Sequence, residues 1–318
     1  MLMKKYPIKQ SPLYRLRNKT TLAKLLGLPE TLLKNRISFD EQYIEFCKPK
    51  EHGDGQRRFS SPSGKSIVRA QKRLFLYLSR IEKPLWVKSA SRGESYITNA
   101  VAHRTNAYGL KTDISSFYES VTFSRIRSCY LDTFEMAPDI AEIMTILSTH
   151  RRKLPTGAPA SMLVAYFAYK KMFDSIYDYS LKQNISFTLY VDDLSFSSDS
   201  AIPKEFFLEV QRILVSYGLK AKWKKTKFYS KNEYKEYTGV GITQNGGLSV
   251  PNRMRKSILE CYSKCTANPA NHKELQRLQG KLNAARQIEP EVFPEIFNYL
   301  NCHREDLVAY QQKLARKV

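Results

Sequence analysis

The sequence predicts an α+β fold in which helices cover one face of a sheet. Two observations lead there. Runs in which apolar and polar residues alternate, clearest in "ISFTLYVDDLSFSSDS" (Ile185 to Ser200), have the period of half-buried strands. Between such runs lie segments with leucine and aromatic residues at three- and four-residue spacing, which is helical. Their order is strand, helix, helix, strand, strand, helix, strand, compatible with a split βαβ unit. A chain of 318 residues can bury a full core.

Along the chain, residues 12–46 read as short helices, "TTLAKLLGLP" and "ETLLKNRI". No acidic residue precedes Glu30, so this arm is basic. "EHGDGQRRFSSPSGKSIVRAQKRLFLYLSRI" reads as a turn and a short strand pair broken at Pro62 and Gly64, then an amphipathic helix from Lys65. A strand enters at Tyr108 and loses regularity after Asp113, with helix following to residue 150. "LPTGAPAS" (Leu154 to Ser161) is a loop that opens a long helix from Ser161. After the double-aspartate hairpin come a helix, "PKEFFLEVQRILVSYGL", and a lysine-rich strand, "KAKWKKTKFYS". Residues 237–250 suggest a small Gly-rich hairpin, and the chain from Asn252 is helical, with a break at Gly280.

Lysine and arginine total 52 against 30 acidic residues, a formal net charge of +22. Such an excess calls for an anionic partner, either nucleic acid or an acidic membrane surface. The apolar stretch Leu163 to Tyr169 falls far short of the roughly 20 residues of a membrane span. The basic start of the chain has no apolar segment that would serve as a signal peptide. Five scattered cysteines suit a reducing cytoplasm. Cys261 and Cys265, with His272 nearby, fit helix packing better than a zinc site, which needs further ligands at matching spacing.

Asp113 stands at a strand end and Asp192 and Asp193 at a hairpin tip, 79 residues further on. Aspartates are also ordinary turn residues. If the two strands are neighbours, however, three carboxylates converge and repel unless cations lie between them. Two Mg2+ ions about 3.5–4 Å apart would satisfy them and clamp both oxygens of an in-line phosphoryl transfer. With the positive charge, the substrates indicated are a polynucleotide and a nucleoside triphosphate.

"YVDD" (Tyr190 to Asp193) resembles the Y-x-D-D box of reverse transcriptases, "KTDISSFYESV" their preceding aspartate motif, and "LPTGAPAS" the bacterial L-P-Q-G-A-P-x-S loop. The ordered set, with "RRFSSP" and "GLKAKWKKT", covers residues 50–250. Within that family, "NAVAH" (Asn99 to His103) resembles the N-A-x-x-H signature of retron enzymes, and "YTG" (Tyr237 to Gly239) is similar to their V-T-G triplet. The resemblance implies a right-hand polymerase fold. A basic N-terminal extension spans 1–48, fingers 49–107 and 125–165, a palm 108–124 and 166–250, and a helical thumb 251–318. It implies an RNA-directed DNA polymerase that uses a structured noncoding RNA as primer and template. The product is branched multicopy single-stranded DNA (msDNA), made in antiphage defence with a possible effector toxin. The alternatives are a group II intron, diversity-generating or abortive-infection enzyme, or a non-catalytic RNA-binding scaffold.

Roles follow by the same resemblance. Asp113, Asp192 and Asp193 are the catalytic metal ligands, with the Ile114 carbonyl, for two Mg2+ ions. Tyr118 is the ring against the sugar of an incoming dNTP, with Phe117 or Tyr118 equally readable as core. Arg57 or Arg58 holds the triphosphate, Thr156 and Gly157 lie beside the nucleotide, and Lys225 assists the leaving pyrophosphate. Thr156 replaces the usual glutamine and Lys222 an asparagine. The seven lysines of Lys220 to Lys235, interleaved with rings, suit a nucleic-acid track. Lys222, Trp223 and Lys224 are therefore assigned to RNA, as are Asn99 and His103, with capping of a local turn as the alternative for His103. His52, His150 and His303 have no evident partner, and the segment Leu275 to Pro290 resembles a thumb helix.

Overall fold

Asn18 opens the first helix, its side chain accepting from the Thr21 amide, and Gly27 closes it at φ +67°. That helix is α1 (Lys19–Leu26). The computed structural model describes residues 5–33, 39–49, 56–91 and 93–315. Strands β1 (Tyr43–Pro49) and β2 (Gln56–Pro62) pair antiparallel, with Tyr43 opposite Pro62 and Lys48 opposite Arg57. The helical reading of residues 12–46 therefore fails at Tyr43–Phe46, where pairing with β2 overrides local spacing. Helix α2 (Lys65–Ser79) begins where the sequence places it and buries Ile67, Ala70, Leu74 and Leu78.

Next come α3 (Tyr96–Val101), β3 (Tyr108–Asp113), α4 (Phe117–Ser120), α5 (Phe123–Ser128) and α6 (Pro138–Ser148). The long helix expected from Ser161 is two, α7 (Ser161–Ala168) and α8 (Lys170–Lys182), separated at Tyr169. Strands β4 (Ser186–Tyr190) and β5 (Asp193–Ser198) form the double-aspartate hairpin, followed by α9 (Lys204–Ser216). The lysine-rich segment is mostly not strand. Trp223–Lys225 is a 3-10 turn, and only β6 (Lys227–Tyr229) joins a sheet. Three short strands follow, β7 (Lys235–Tyr237), β8 (Val240–Ile242) and β9 (Leu248–Ser249). The chain ends in α10 (Asn252–Ala267), α11 (His272–Ile288), α12 (Pro294–Cys302) and α13 (Arg304–Ala315). Helix α11 runs unbroken through Gly280.

The main sheet has the order β4-β5-β3-β6. Strand β5, adjacent to β3, brings the two aspartate motifs together. Alternation in β4 and β5 suggests one wet face, yet Thr188, Ser195 and Ser197 are as buried as Phe187, Leu189 and Phe196. Small hydroxyl side chains tolerate this because they find partners, as Ser197 does below.

The chain divides into two compact units. One comprises Met1–Glu94, Lys111–Phe196 and Ile202–Lys227, and the other Ser95–Leu110, Ser197–Ala201 and Phe228–Val318. The first is packed by aromatic side chains, among them Tyr130, Phe134, Phe167, Phe173 and Phe206. The second has its own core, in which Tyr237, Val240 and Ile242 meet Ile258, Leu275, Leu278 and Leu282. Cys261 and Cys265 are buried in that core, as helix packing requires, while Cys47 and Cys302 are exposed, one in each unit. No described helix is long and apolar enough to cross a membrane.

Candidate active site

Strand β3 delivers Asp113 at its last residue, and β5 delivers Asp193 at its first. Asp192 and Val191 form the two-residue turn between β4 and β5. Backbone bonds fix the arrangement: the Ile114 amide donates to the Asp192 carbonyl at 3.0 Å, and the Lys222 amide to the Asp113 carbonyl at 2.7 Å. Val191 has φ +60°, a left-handed conformation that a β-branched residue rarely takes. Its amide donates to Ser89 Oγ at 3.1 Å.

Asp113 is buried, and Asp192 and Asp193 are half-buried. Burial pushes the Asp113 carboxyl up, but hydrogen bonds from Asp193 and from the Lys225 ammonium outweigh it and leave it below the usual carboxylate range. Asp193 moves the other way. Burial, the hydrogen bond to Asp113 and the negative charges of Asp113 and Asp192 push it up to about 8. The pair thus shares one proton, as close carboxylates must. Lys225, by pairing with Asp113, adds a second positive charge at the same point.

A proton and an ammonium stand where like charges would otherwise meet, so the cluster has a demand for positive charge. The donors are carboxylate oxygens, the set a hard divalent cation takes. Among the described residues no three His, Cys, Asp or Glu side chains already form a metal-holding group. The ready-made element is the Asp113–Asp193 pair, with Asp192 beside it on the turn.

Around it, Ser116 at φ +47° leads into α4. Phe117 is core, packed on Tyr169 and Phe173, whereas Tyr118 is half-buried. Thr156 and Gly157 lie against β2: the Ser60 amide donates to Thr156 Oγ1 at 3.3 Å, and the Gly157 amide to the Ser60 carbonyl at 2.9 Å. A Cβ at Gly157 would come within 3.0 Å of that carbonyl and of Ser61 Cβ. The close approach this glycine permits is to β2. Arg57 and Arg58 belong to β2, but their side chains lie outside the described residues, as does His52. Lys222, Trp223, Lys224 and Lys225 are all exposed; Trp223, 59% accessible, touches the Phe207 ring edge-on.

Asn99 and His103 require a correction. Both are fully buried, so neither side chain presents a surface to RNA. Asn99 donates to Thr238 Oγ1 at 3.4 Å; His103 Nδ1 lies 2.7 Å from Ser197 Oγ, and its ring stacks on Tyr237 at 4.7 Å. The N-A-x-x-H segment is thus tied to Tyr237 and Thr238 of the Y-T-G triplet. Two residues escape the sequence reading. His150 stacks on Tyr43 at 4.6 Å with Nδ1 2.6 Å from Ser60 Oγ, and Ser89 contacts the double-aspartate turn through the Val191 amide. Their partners are about a hundred positions away, and no local pattern marks them.

The family described as reverse transcriptase (RNA-dependent DNA polymerase) matches residues 54–242, more than half of the chain and all three aspartates. The chain belongs to the reverse transcriptase family. That family has the right-hand polymerase fold. Among relatives, the retron Se72 reverse transcriptase of Salmonella heidelberg (strain 579083-10) is 24% identical over 187 residues, covering 58% of this chain and 49% of its own. The retron Mx65 reverse transcriptase of Myxococcus xanthus is 23% identical over 271 residues, covering 78% and 62%. The retron Mx162 enzyme of the same organism is 24% identical over 313 residues, covering 85% and 63%. The chain therefore spans about half to two thirds of these reverse transcriptases, and its likeness is to the retron type.

Proposed function

We propose that this chain is a retron reverse transcriptase, an RNA-directed DNA polymerase that copies a structured noncoding RNA into msDNA. The observation that carries the reading is the Asp113–Asp193 pair with Asp192 on the adjoining turn, inside the matched region. The retron names of the relatives and the N-A-x-x-H and Y-T-G motifs support the subtype. The antiphage role and an effector partner belong to the same proposal.

Asp113, Asp192 and Asp193, with the Ile114 carbonyl, would hold two Mg2+ ions, which lower the pKa of the primer hydroxyl and neutralise charge on the transferring phosphate. Lys225, held by Asp113 beside the cluster, neutralises the leaving pyrophosphate. Tyr118 excludes the 2′-hydroxyl of a ribonucleotide, and Arg57 or Arg58 grips the triphosphate from β2. Thr156 and Gly157 serve the nucleotide by fixing β2. Lys222, Trp223 and Lys224 offer exposed charge and a stacking ring to the RNA. In this division of labour residues 1–48 form the extension, 49–107 and 125–165 the fingers, 108–124 and 166–250 the palm, and 251–318 the thumb.

The test is expression with the flanking DNA, followed by extraction of nucleic acid and digestion with RNase and DNase. A short DNA joined to RNA, lost in Asp192→Asn and Asp193→Asn while RNA binding persists, is the expected outcome. Extension of an ordinary primer without such DNA would keep the polymerase and remove the retron assignment.

A further inference from the structure

We infer that Ser89 is a positioning residue for the catalytic turn, its hydroxyl holding Val191 in the left-handed conformation that aims Asp192 and Asp193. The inference rests on the polymerase reading above. A β-branched side chain at φ +60° crowds its own backbone, and such a residue persists only where its surroundings over-determine it. The surroundings here are specific. The Leu189 amide donates to the Trp86 carbonyl and the Lys88 amide to the Leu189 carbonyl, each at 2.8 Å. Residues 86–88 therefore run parallel beside β4, with Val87 bridged to Leu189.

That register brings Ser89, itself buried, to the turn, where its Oγ accepts from the Val191 amide at 3.1 Å. The chain then turns at Ala90, a second non-glycine residue in the left-handed region, with φ +49°. The Ser91 hydroxyl donates back to the Ser89 carbonyl at 3.5 Å. Two strained residues thus flank one hydrogen bond. Each residue of the turn has one backbone group held from outside, Val191 N–H by Ser89 and the Asp192 carbonyl by the Ile114 amide. Any residue but proline at 114 can still donate the second bond. The first needs an acceptor on the side chain at 89, which alanine cannot supply.

Glycine at 191 would take φ +60° without steric cost and make the hydroxyl dispensable. The experiment is single-nucleotide extension by Ser89→Ala in the native and the Val191→Gly backgrounds, with amide hydrogen exchange across the turn. In the native background Ser89→Ala is expected to lower kcat about tenfold with nucleotide KM within about twofold, since misaimed carboxylates harm the chemical step rather than binding. In the Val191→Gly background the same change should alter kcat by less than about twofold. Exchange at the Val191 amide should rise in Ser89→Ala. Equal losses in both backgrounds, a change confined to KM, or unaltered exchange would overturn the assignment. An inactive native enzyme would instead sink the polymerase reading, and exchange at Val191 alone would then decide the role of Ser89.

Discussion

Asp193 holds a proton that its surroundings force on it, and this has a measurable consequence. Its folded pKa, about 8, lies above the ordinary carboxylate value, so the stabilisation it gives is complete at acid pH and lost as pH rises through about 8. Asp113, depressed in the fold, acts oppositely and loses its contribution as pH falls below the usual carboxylate range. In chelator the melting temperature should therefore fall between about pH 4 and about pH 8 and level off above, and Asp193→Asn should flatten that limb. Mg2+ should restore stability at the alkaline end, because a bound cation replaces the proton. A melting temperature indifferent to both pH and Mg2+ would contradict this account of the cluster. The convergence of the three aspartates was legible because residue order sets Asp113 at a strand end and Asp192 and Asp193 at a hairpin tip, and β5 lies beside β3. The burial of His103 was not: a histidine in a motif reads as functional, and only its stack on Tyr237 and bond to Ser197 show it as a structural member.

Among the elements, the helices with strong spacing, α2, α9 and α10, start where the sequence places them. The failures lie where long-range contacts decide. Tyr43–Phe46 become strand because β2 is there to pair with, and Trp223–Lys225 fold into a 3-10 turn although lysines and rings suggest a strand. Gly280 misleads in the opposite direction. It sits exposed inside α11, and an added Cβ would meet nothing within 4 Å. Propensity then predicts that Gly280→Ala raises stability by about 0.5–1 kcal/mol, read as a higher urea midpoint at unchanged slope. A lower midpoint would mean that the glycine serves the folded helix in some way its open surroundings do not suggest.

Across the whole molecule, the charge of +22 predicts the character of RNA binding before any contact is known. Lysines and arginines that neutralise several phosphates release counterions, so affinity should fall at least about a hundredfold between about 50 and about 200 mM salt. A loss of less than about tenfold in a filter-binding titration would place recognition in a few neutral contacts instead. The division into two units was harder to foresee, since each is assembled from three separate stretches of chain. Of the five thiols, only Cys47 and Cys302 are exposed, and they fall in different units. Maleimide dyes would therefore tag one site on each without mutagenesis, and energy transfer between donor and acceptor would follow the separation of the two units as template is engaged and copied.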